Sequence, residues 1–282
     1  TIPFLGNIPR HGNNKGEDSD GIVVRENSRD SVSEAFRIIR TNMDFMRVKA
    51  TNLQVVMFTS ANPGAGKTFV SSNLAMSIAQ TNKRVVLIDV DIRKGTLSGI
   101  FSNSSNRMGL THYLSGSTDK VDDIVGTSEE YEKLDVIFSG PVPPNPAELL
   151  LSERFDRLIT ELRKRYDYII VDNVPAGMVA DASIVNRVAD LTIFVVRSGV
   201  MDRRQLPELE NMYRQEQLRN MSVILNGVPS DHKGYGYGYG YGYGYGYGYG
   251  YGYGYGYGNE SHSHNGKHKS LKNFFSRFLK RS

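Results

Sequence analysis

Leu53-Gln-Val-Val-Met-Phe-Thr-Ser60, Ala61-Asn62-Pro63-Gly64-Ala65-Gly66-Lys67-Thr68 and Phe69-Val-Ser-Ser-Asn-Leu-Ala-Met-Ser-Ile-Ala-Gln80 follow one another without a gap. The first block is a short apolar run of strand type, the last is rich in Ala, Leu and Ile as helices are, and a glycine-rich turn joins them. Such a turn between a strand and a helix cradles phosphate. Glycines let the chain curl so that successive N–H groups point at phosphate oxygens, and the helix adds its positive end. In this reading Pro63, Gly64, Ala65, Gly66, Lys67, Thr68 and Phe69 line a nucleotide. Lys67 reaches the β- and γ-phosphates and the Thr68 hydroxyl ligands Mg²⁺. Ala61 replaces the glycine that usually opens the pattern, a small change, since Ala is the smallest residue with a side chain.

Outward from this stretch, apolar runs recur at Arg84–Asp89, Leu134–Ser139, Tyr168–Asp172, Leu191–Arg197 and Ser222–Asn226. Helical spacing covers Ser31–Lys49, Pro146–Lys164 and Arg203–Gln217. In the first of these Val32, Phe36, Ile39, Met43 and Met46 share a face, and Ser31 with Glu34 resembles a capping box. Strands apolar on both faces and alternating with helices predict an α/β fold: a P-loop NTPase-like parallel sheet covered by helices on both faces. The domain is expected over residues 28–230, after a Gly-, Asn- and charge-rich linker at 1–27.

Three carboxylates sit where such a sheet binds ligands, beyond the carboxyl ends of its strands. Asp89 closes the run Val85-Val-Leu-Ile-Asp89, Asp91 follows two residues on, and Asp172 closes Tyr168-Ile-Ile-Val-Asp172. A strand-end Asp alone commonly does no more than cap the next turn. Three converging on a Lys-Thr phosphate loop point to metal and proton handling.

Composition narrows the classes. The 282 residues include no cysteine, which excludes disulfides and thiolate metal sites. No apolar stretch approaches the roughly 20 residues of a membrane-spanning helix, and no signal peptide is seen. The start at Thr1 reads as a cut from something longer. Net charge is +4, but residues 259–282 hold six Lys/Arg against one Glu, so the remainder nets −1 and no nucleic-acid-binding core is indicated.

From Gly234 to Gly258 the chain repeats Gly-Tyr, setting twelve tyrosines at Tyr235, Tyr237, Tyr239, Tyr241, Tyr243, Tyr245, Tyr247, Tyr249, Tyr251, Tyr253, Tyr255 and Tyr257. Half glycine, the repeat has little to fold around, so 231–258 is expected to be a disordered tail whose 25-residue Gly-Tyr repeat spans about 80–90 Å at full stretch. A phosphate-donor site and a row of phosphate acceptors on one chain suggest a kinase acting on its own tail. Each added phosphate brings about −1.5 to −2 charges, so heavy phosphorylation would turn the tail strongly anionic. In the closing segment 259–282, Leu271, Phe274, Phe275, Phe278 and Leu279 lie among cations over 267–281, a pattern suited to a membrane surface or a protein partner. His262, His264 and His268 are too loosely spaced for a metal site.

In order along the chain stand Glu34-Ala-Phe-Arg37-Ile-Ile-Arg40, the phosphate loop, Asp89-Val-Asp91-Ile-Arg93, Gly140-Pro-Val-Pro-Pro-Asn145-Pro, Asp172, Asp181-Ala and Leu225-Asn226-Gly. Together these resemble the bacterial tyrosine autokinases (BY-kinases) of exopolysaccharide and capsule assembly, over about residues 20–230. The resemblance implies a second Walker-type motif at Asp89 and Asp91, with Lys67, Asp89, Asp91 and Asp172 catalytic. Thr68, Asp91 and Asp172 would attend the metal, Asn226 would join the nucleotide site, and ATP and Mg²⁺ would be the cofactors. It implies that Glu34, Arg37 and Arg40 form intersubunit contacts in a homo-oligomeric ring, of eight subunits in the family, that delivers one subunit's tyrosine tail to its neighbour. A protein tyrosine phosphatase and the polysaccharide polymerisation and export machinery would be partners. The opening Phe4-Leu-Gly-Asn-Ile-Pro9 resembles the juxtamembrane linker of fused co-polymerases, which places this piece on the cytoplasmic side of the inner membrane. One departure is Asn173-Val-Pro175, where the family carries Ser/Thr-Pro-Pro. Rival readings are a Min/Par-type ATPase switch, whose extra loop lysine is Asn62 here, and a nucleotide-gated scaffold without kinase activity. The motifs H-R-D-L-x-x-x-N and D-F-G of eukaryotic-type kinases are absent.

Overall fold

A computed structural model describes residues 1–11, 21–49, 53–101, 108–127, 132–176 and 181–229. Among these, eight strands build one sheet: β1 (Phe4–Pro9), β2 (Val55–Ser60), β3 (Val85–Asp89), β4 (Gly126–Thr127), β5 (Leu134–Ile137), β6 (Tyr168–Asp172), β7 (Leu191–Arg197) and β8 (Ser222–Val228). Their order is β1-β8-β7-β2-β6-β3-β5-β4, and only the short β4 runs antiparallel to its neighbour. The helices are α1 (Ser31–Lys49), α2 (Lys67–Ala79), α3 (Leu110–Leu114), α4 (Pro146–Leu151), α5 (Glu153–Arg165), α6 (Asp181–Asn186) and α7 (Leu206–Arg214). The expected parallel sheet with both faces covered is thus present. Among the described residues no helix is long and apolar enough to cross a membrane.

The central strands are buried end to end, which is why they read as unbroken apolar runs. Alternate side chains feed two cores. Val56, Phe58, Val85 and Leu87 meet α1 and α2 on one face, while Val55, Met57, Val86 and Ile88 meet α5 and α7 on the other. The apolar stripe of α1 is buried through Val32, Phe36, Ile39 and Met43, with Met46 at its edge. Phe36 is fully buried and stands edge-on to Phe69, with ring centroids 6.0 Å apart. Phe36→Ala is expected to cost about 3–5 kcal/mol, a fall in Tm on the order of 10 °C. A thermal melt showing less than about 3 °C of change would mean that α1 is not held through this contact.

Four local expectations need correction. The linker assigned to residues 1–27 contains β1, an edge strand pairing parallel with β8. Its Gly6, Asn7 and Pro9 disguise it in the sequence. Gly6 takes φ +151, and Ile39 Cγ1 lies 3.0 Å from where a Cβ would stand, so α1 crosses too closely for a side chain. Val23 and Val24 are also tied down, both donating their N–H to Asn73 Oδ1. The cap of α1 is Asp30 rather than Ser31: Asp30 Oδ1 accepts from the N–H groups of Val32 and Ser33, each at 2.9 Å. Burial opposes ionisation of Asp30, but its bonds from Ser28, Ser33 and Val32 outweigh that and hold its carboxyl well below the usual range. The helix expected over Pro146–Lys164 breaks at Ser152, which is extended at ψ 151. Leu150 and Phe155 are both buried, yet in one continuous helix they would point about 140° apart. Finally, the expected helix Arg203–Gln217 opens as a 3₁₀ turn at Arg203–Gln205, capped by Asp202, and α7 ends at Arg214.

Candidate active site

The phosphate loop leaves β2, the strand at which chain direction across the sheet reverses: β3 lies on one side of it, beyond β6, and β7 on the other. Gly66 caps α2 with φ +83, and a Cβ there would sit 2.3 Å from Asn226 Nδ2. Glycine is therefore required twice over at this position, by backbone angle and by space. Asn226, at the carboxyl end of β8, donates from Nδ2 to the carbonyl of Ala65 at 3.0 Å. Arg197, its register partner at the end of β7, donates to the carbonyl of Gly64 at 2.9 Å. With these two carbonyls held by side chains, the loop's N–H groups are turned to the concave side that would receive phosphate. Asn226 thus stands against the loop backbone. Arg197 was not singled out in the sequence, where it looks like an ordinary strand-end charge. Asn226→Ala is expected to weaken Mg-ADP binding about 10-fold, the worth of one hydrogen bond to a buried partner, in a calorimetric titration. Affinity equal to that of the unaltered chain would show that the clamp does not shape the loop.

Asp89 and Asp172 end adjacent strands as direct register partners, and Phe58 of β2 pairs with Asp172 on its other side. The sheet itself therefore brings the two carboxylates together beside the loop. Asp89 is fully buried, and its oxygens accept from the N–H of Asp91 and of Leu97, each at 3.1 Å. Burial, reinforced by the neighbouring Asp172, pushes the Asp89 carboxyl up to about 8. Burial likewise raises Asp172 to about 6, against the opposing pull of the Thr68 hydroxyl and the Lys67 ammonium. Asp91 is half-buried at the head of a turn, where its carboxylate accepts from the Lys94 N–H at 3.2 Å. Lys67, half-buried, has its pKa lowered by burial, while Asp172 and Asp91 act in the opposite sense. The Thr68 hydroxyl lies 3.2 Å from that of Thr96, another residue the sequence did not flag.

The donor set fits Mg²⁺. Asp172 Oδ1 is buried and makes no hydrogen bond, and beside the Lys67 ammonium its neighbours are the Thr68 and Ser71 hydroxyls and the Asp91 carboxylate, hard oxygen ligands of the kind this ion takes. Among the described residues no three His, Asp or Glu side chains form a ready cage.

The remaining expected residues fall as follows. Pro63 and Gly64 are exposed on the loop, Ala65 is buried, and Phe69 turns its ring into the core, leaving only its backbone toward the loop. Asn173, the departure from the family pattern, is buried and caps its own turn by accepting from the Val174 N–H at 2.9 Å. On α1, Arg37 binds Glu34 at 2.8 Å and the carbonyl of Ser28, and Arg40 reaches across to the carbonyl of Ser77 on α2. Glu34 is exposed. The tail tyrosines Tyr235 to Tyr257 and the basic terminus lie outside the described residues.

Residues 53–220 match the family model described as an AAA domain. Tyrosine-protein kinase CpsD of Streptococcus pneumoniae is 37% identical over 193 residues, covering 68% of this chain and 83% of that protein. The chain belongs to the bacterial tyrosine-protein kinases. Tyrosine-protein kinase wzc of Salmonella typhimurium is 40% identical over 209 residues, 74% of this chain but 28% of that longer protein. The chain therefore spans less than a third of that relative. The solved kinase domain of Escherichia coli tyrosine kinase ETK superposes with TM-score 0.71 at 33% identity, covering 85% of this chain and 95% of the other. In this family the P-loop fold is shared. The Min/Par-type switch falls behind the kinase reading accordingly.

Proposed function

We propose that the chain is an ATP-dependent tyrosine autokinase that phosphorylates its own Gly-Tyr tail, in trans within a ring of identical subunits. The observation that carries this reading is the convergence of Lys67, Thr68, Asp89 and Asp172 on one loop by strand register. Thr68, Asp91 and Asp172 would hold Mg²⁺, which supplies charge neutralisation across the β- and γ-phosphates. Lys67 draws the γ-phosphate into line. Asp89, whose carboxyl burial pushes up to about 8, is a stronger base than an ordinary carboxylate and in its ionised form would accept the phenolic proton. The phenol oxygen then forms its bond to the γ-phosphorus as the bond to the β-phosphate oxygen breaks, ADP departs, and the proton ends on Asp89.

The outer face of α1 would meet the neighbouring subunit. Glu34 is exposed there beside Ile38 and Phe45, the latter 66% exposed, while Arg37 and Arg40 brace the helix from within and would have to exchange partners to reach across. Placement at the cytoplasmic side of the inner membrane, and control of polysaccharide polymerisation and export, belong to the same proposal, as do removal of the phosphates by a tyrosine phosphatase and surface contact through 267–281. The test is intact mass of dephosphorylated chain after Mg-ATP, beside a variant with all twelve tail tyrosines changed to Phe. A ladder of added phosphates that disappears in the variant is expected. Phosphate retained in the variant moves the acceptors elsewhere, and none on either chain leaves a nucleotide-gated scaffold.

A further inference from the structure

A cavity of about 140 Å³ opens beside the phosphate loop, against the face of the sheet that carries α7. Asn62 forms its loop wall, Phe194 and Met201 its buried floor, and Met212 its outer side. Asn62 Nδ2 donates to Gln205 Oε1 at 3.2 Å, closing one end, and the carboxylate of Glu208 stands exposed at the rim. Among the described residues no Lys or Arg lines it. The helix that opens at Lys67 packs on the opposite face of the sheet, so this cavity is separate from the site of the metal and the γ-phosphate.

We propose that this cavity docks an unphosphorylated tyrosine of the Gly-Tyr tail, from the same or a neighbouring subunit, and refuses a phosphorylated one. The proposal deepens the autokinase reading and rests on it for its role, although not for its chemistry. Two methionine thioethers and the Phe194 ring suit an aromatic ring. The rim carboxylate accepts a phenolic O–H but repels a group carrying about −1.5 to −2 charges, with no cation in the lining to offset it. The acceptor segment begins close by. Asn226 touches Ala65, only three residues from Asn62, and Tyr235 follows the last described residue, Pro229, by six, a reach of up to about 20 Å. Glycine on both sides of every tyrosine lets the ring enter without a flanking side chain in the way. In an extended segment a docked tyrosine sets its successors at steps of about 7 Å, which fixes the register in which the next acceptor is offered. A tyrosine that has left the cavity and been phosphorylated at the active site cannot return to it.

The test is methyl NMR of the full chain labelled at methionine, with Met201 and Met212 assigned by single changes to Leu and Met108 as a remote control. The dephosphorylated chain is compared with a variant carrying Ser at all twelve tail positions. Upfield ring-current shifts at Met201 and Met212, absent from the Ser variant and from Met108, are expected. Identical spectra would overturn the proposal, and so would shifts that follow added ATP and ignore the tail, which would place an adenine ring in the cavity. Phosphate discrimination is read by adding Gly-Tyr-Gly-Tyr-Gly, or its phosphotyrosine form, to the Ser variant. Only the unmodified peptide should move the two methyls, and Glu208→Lys should admit the phosphorylated one. Equal binding of both peptides to the unaltered cavity would overturn the discrimination. Because the peptides need no catalysis, a chain that never phosphorylates itself would refute the kinase reading while leaving the docking result to be scored.

Discussion

Lys67→Met is expected to slow tail phosphorylation about 10³-fold, the range seen when one preorganised charge donor is removed from a transition state. Met keeps the length and apolar stem of Lys, so packing at the start of α2 survives. The charge does not. Lys67 is the cation whose field falls on both Asp172 and Asp91, and without it one of the positive charges that offset those carboxylates beside the γ-phosphate is lost. Nucleotide affinity should fall much less than rate, because the clamped loop still offers its N–H groups from Gly64 to Thr68. Single-turnover phosphorylation followed by intact mass, beside a Mg-ADP titration, separates the two. A rate loss under 10-fold would remove Lys67 from the transfer step. Equal loss of rate and affinity would make it a ground-state anchor only.

The second large effect concerns stability and carries a sign opposite to that of most carboxylates. Asp89 titrates near pH 8 in the fold and near the ordinary carboxylate value of 3.8 when unfolded. Across that interval the folded state holds a proton that the unfolded chain has released. Stability of the metal-free chain therefore falls as pH rises from about 4 to about 8, then levels off. Asp89→Asn abolishes this dependence. The Asn side chain loses one of the two bonds accepted from Asp91 and Leu97, a cost that does not change with pH. The informative quantity is thus how the variant's advantage grows between pH 5 and pH 8. It should grow by up to about 4 kcal/mol, some 8–16 °C in Tm measured with a metal chelator present. A Tm difference that stays flat over this range would mean that Asp89 is ionised throughout it in the free protein, and that burial beside Asp172 does not raise its pKa. The same variant should lose tail phosphorylation, since an amide cannot take up the phenolic proton.

Much of this was legible before any coordinates. The strands Tyr168–Asp172 and Leu191–Arg197 and the helix Ser31–Lys49 fall where periodicity placed them, because each is governed by local pattern: apolar on both faces for a buried strand, a single stripe for the helix. Where sequence reading failed, contacts distant in the chain had overridden local signal. β1 contains a glycine and a proline in six residues and forms because β8, more than 200 residues later, offers it an edge. The break at Ser152 answers to a core that must receive both Leu150 and Phe155.

The same division runs through the candidate site. Lys67, Thr68, Asp89 and Asp172 were determined by the sequence alone, since a phosphate loop and strand-end carboxylates are short patterns whose chemistry depends on residue type and spacing. Only the tertiary structure decided that Asp89 and Asp172 stand opposite each other, because strand order is set by packing across the whole sheet and by no local run of residues. It likewise decided that Arg197 and Asn226 hold the loop carbonyls and that Asn62 walls a cavity with Met201 and Met212. The raised pKa values of Asp89 and Asp172 belong to the same side of the division: water is excluded and like charges are forced together only once the chain has folded.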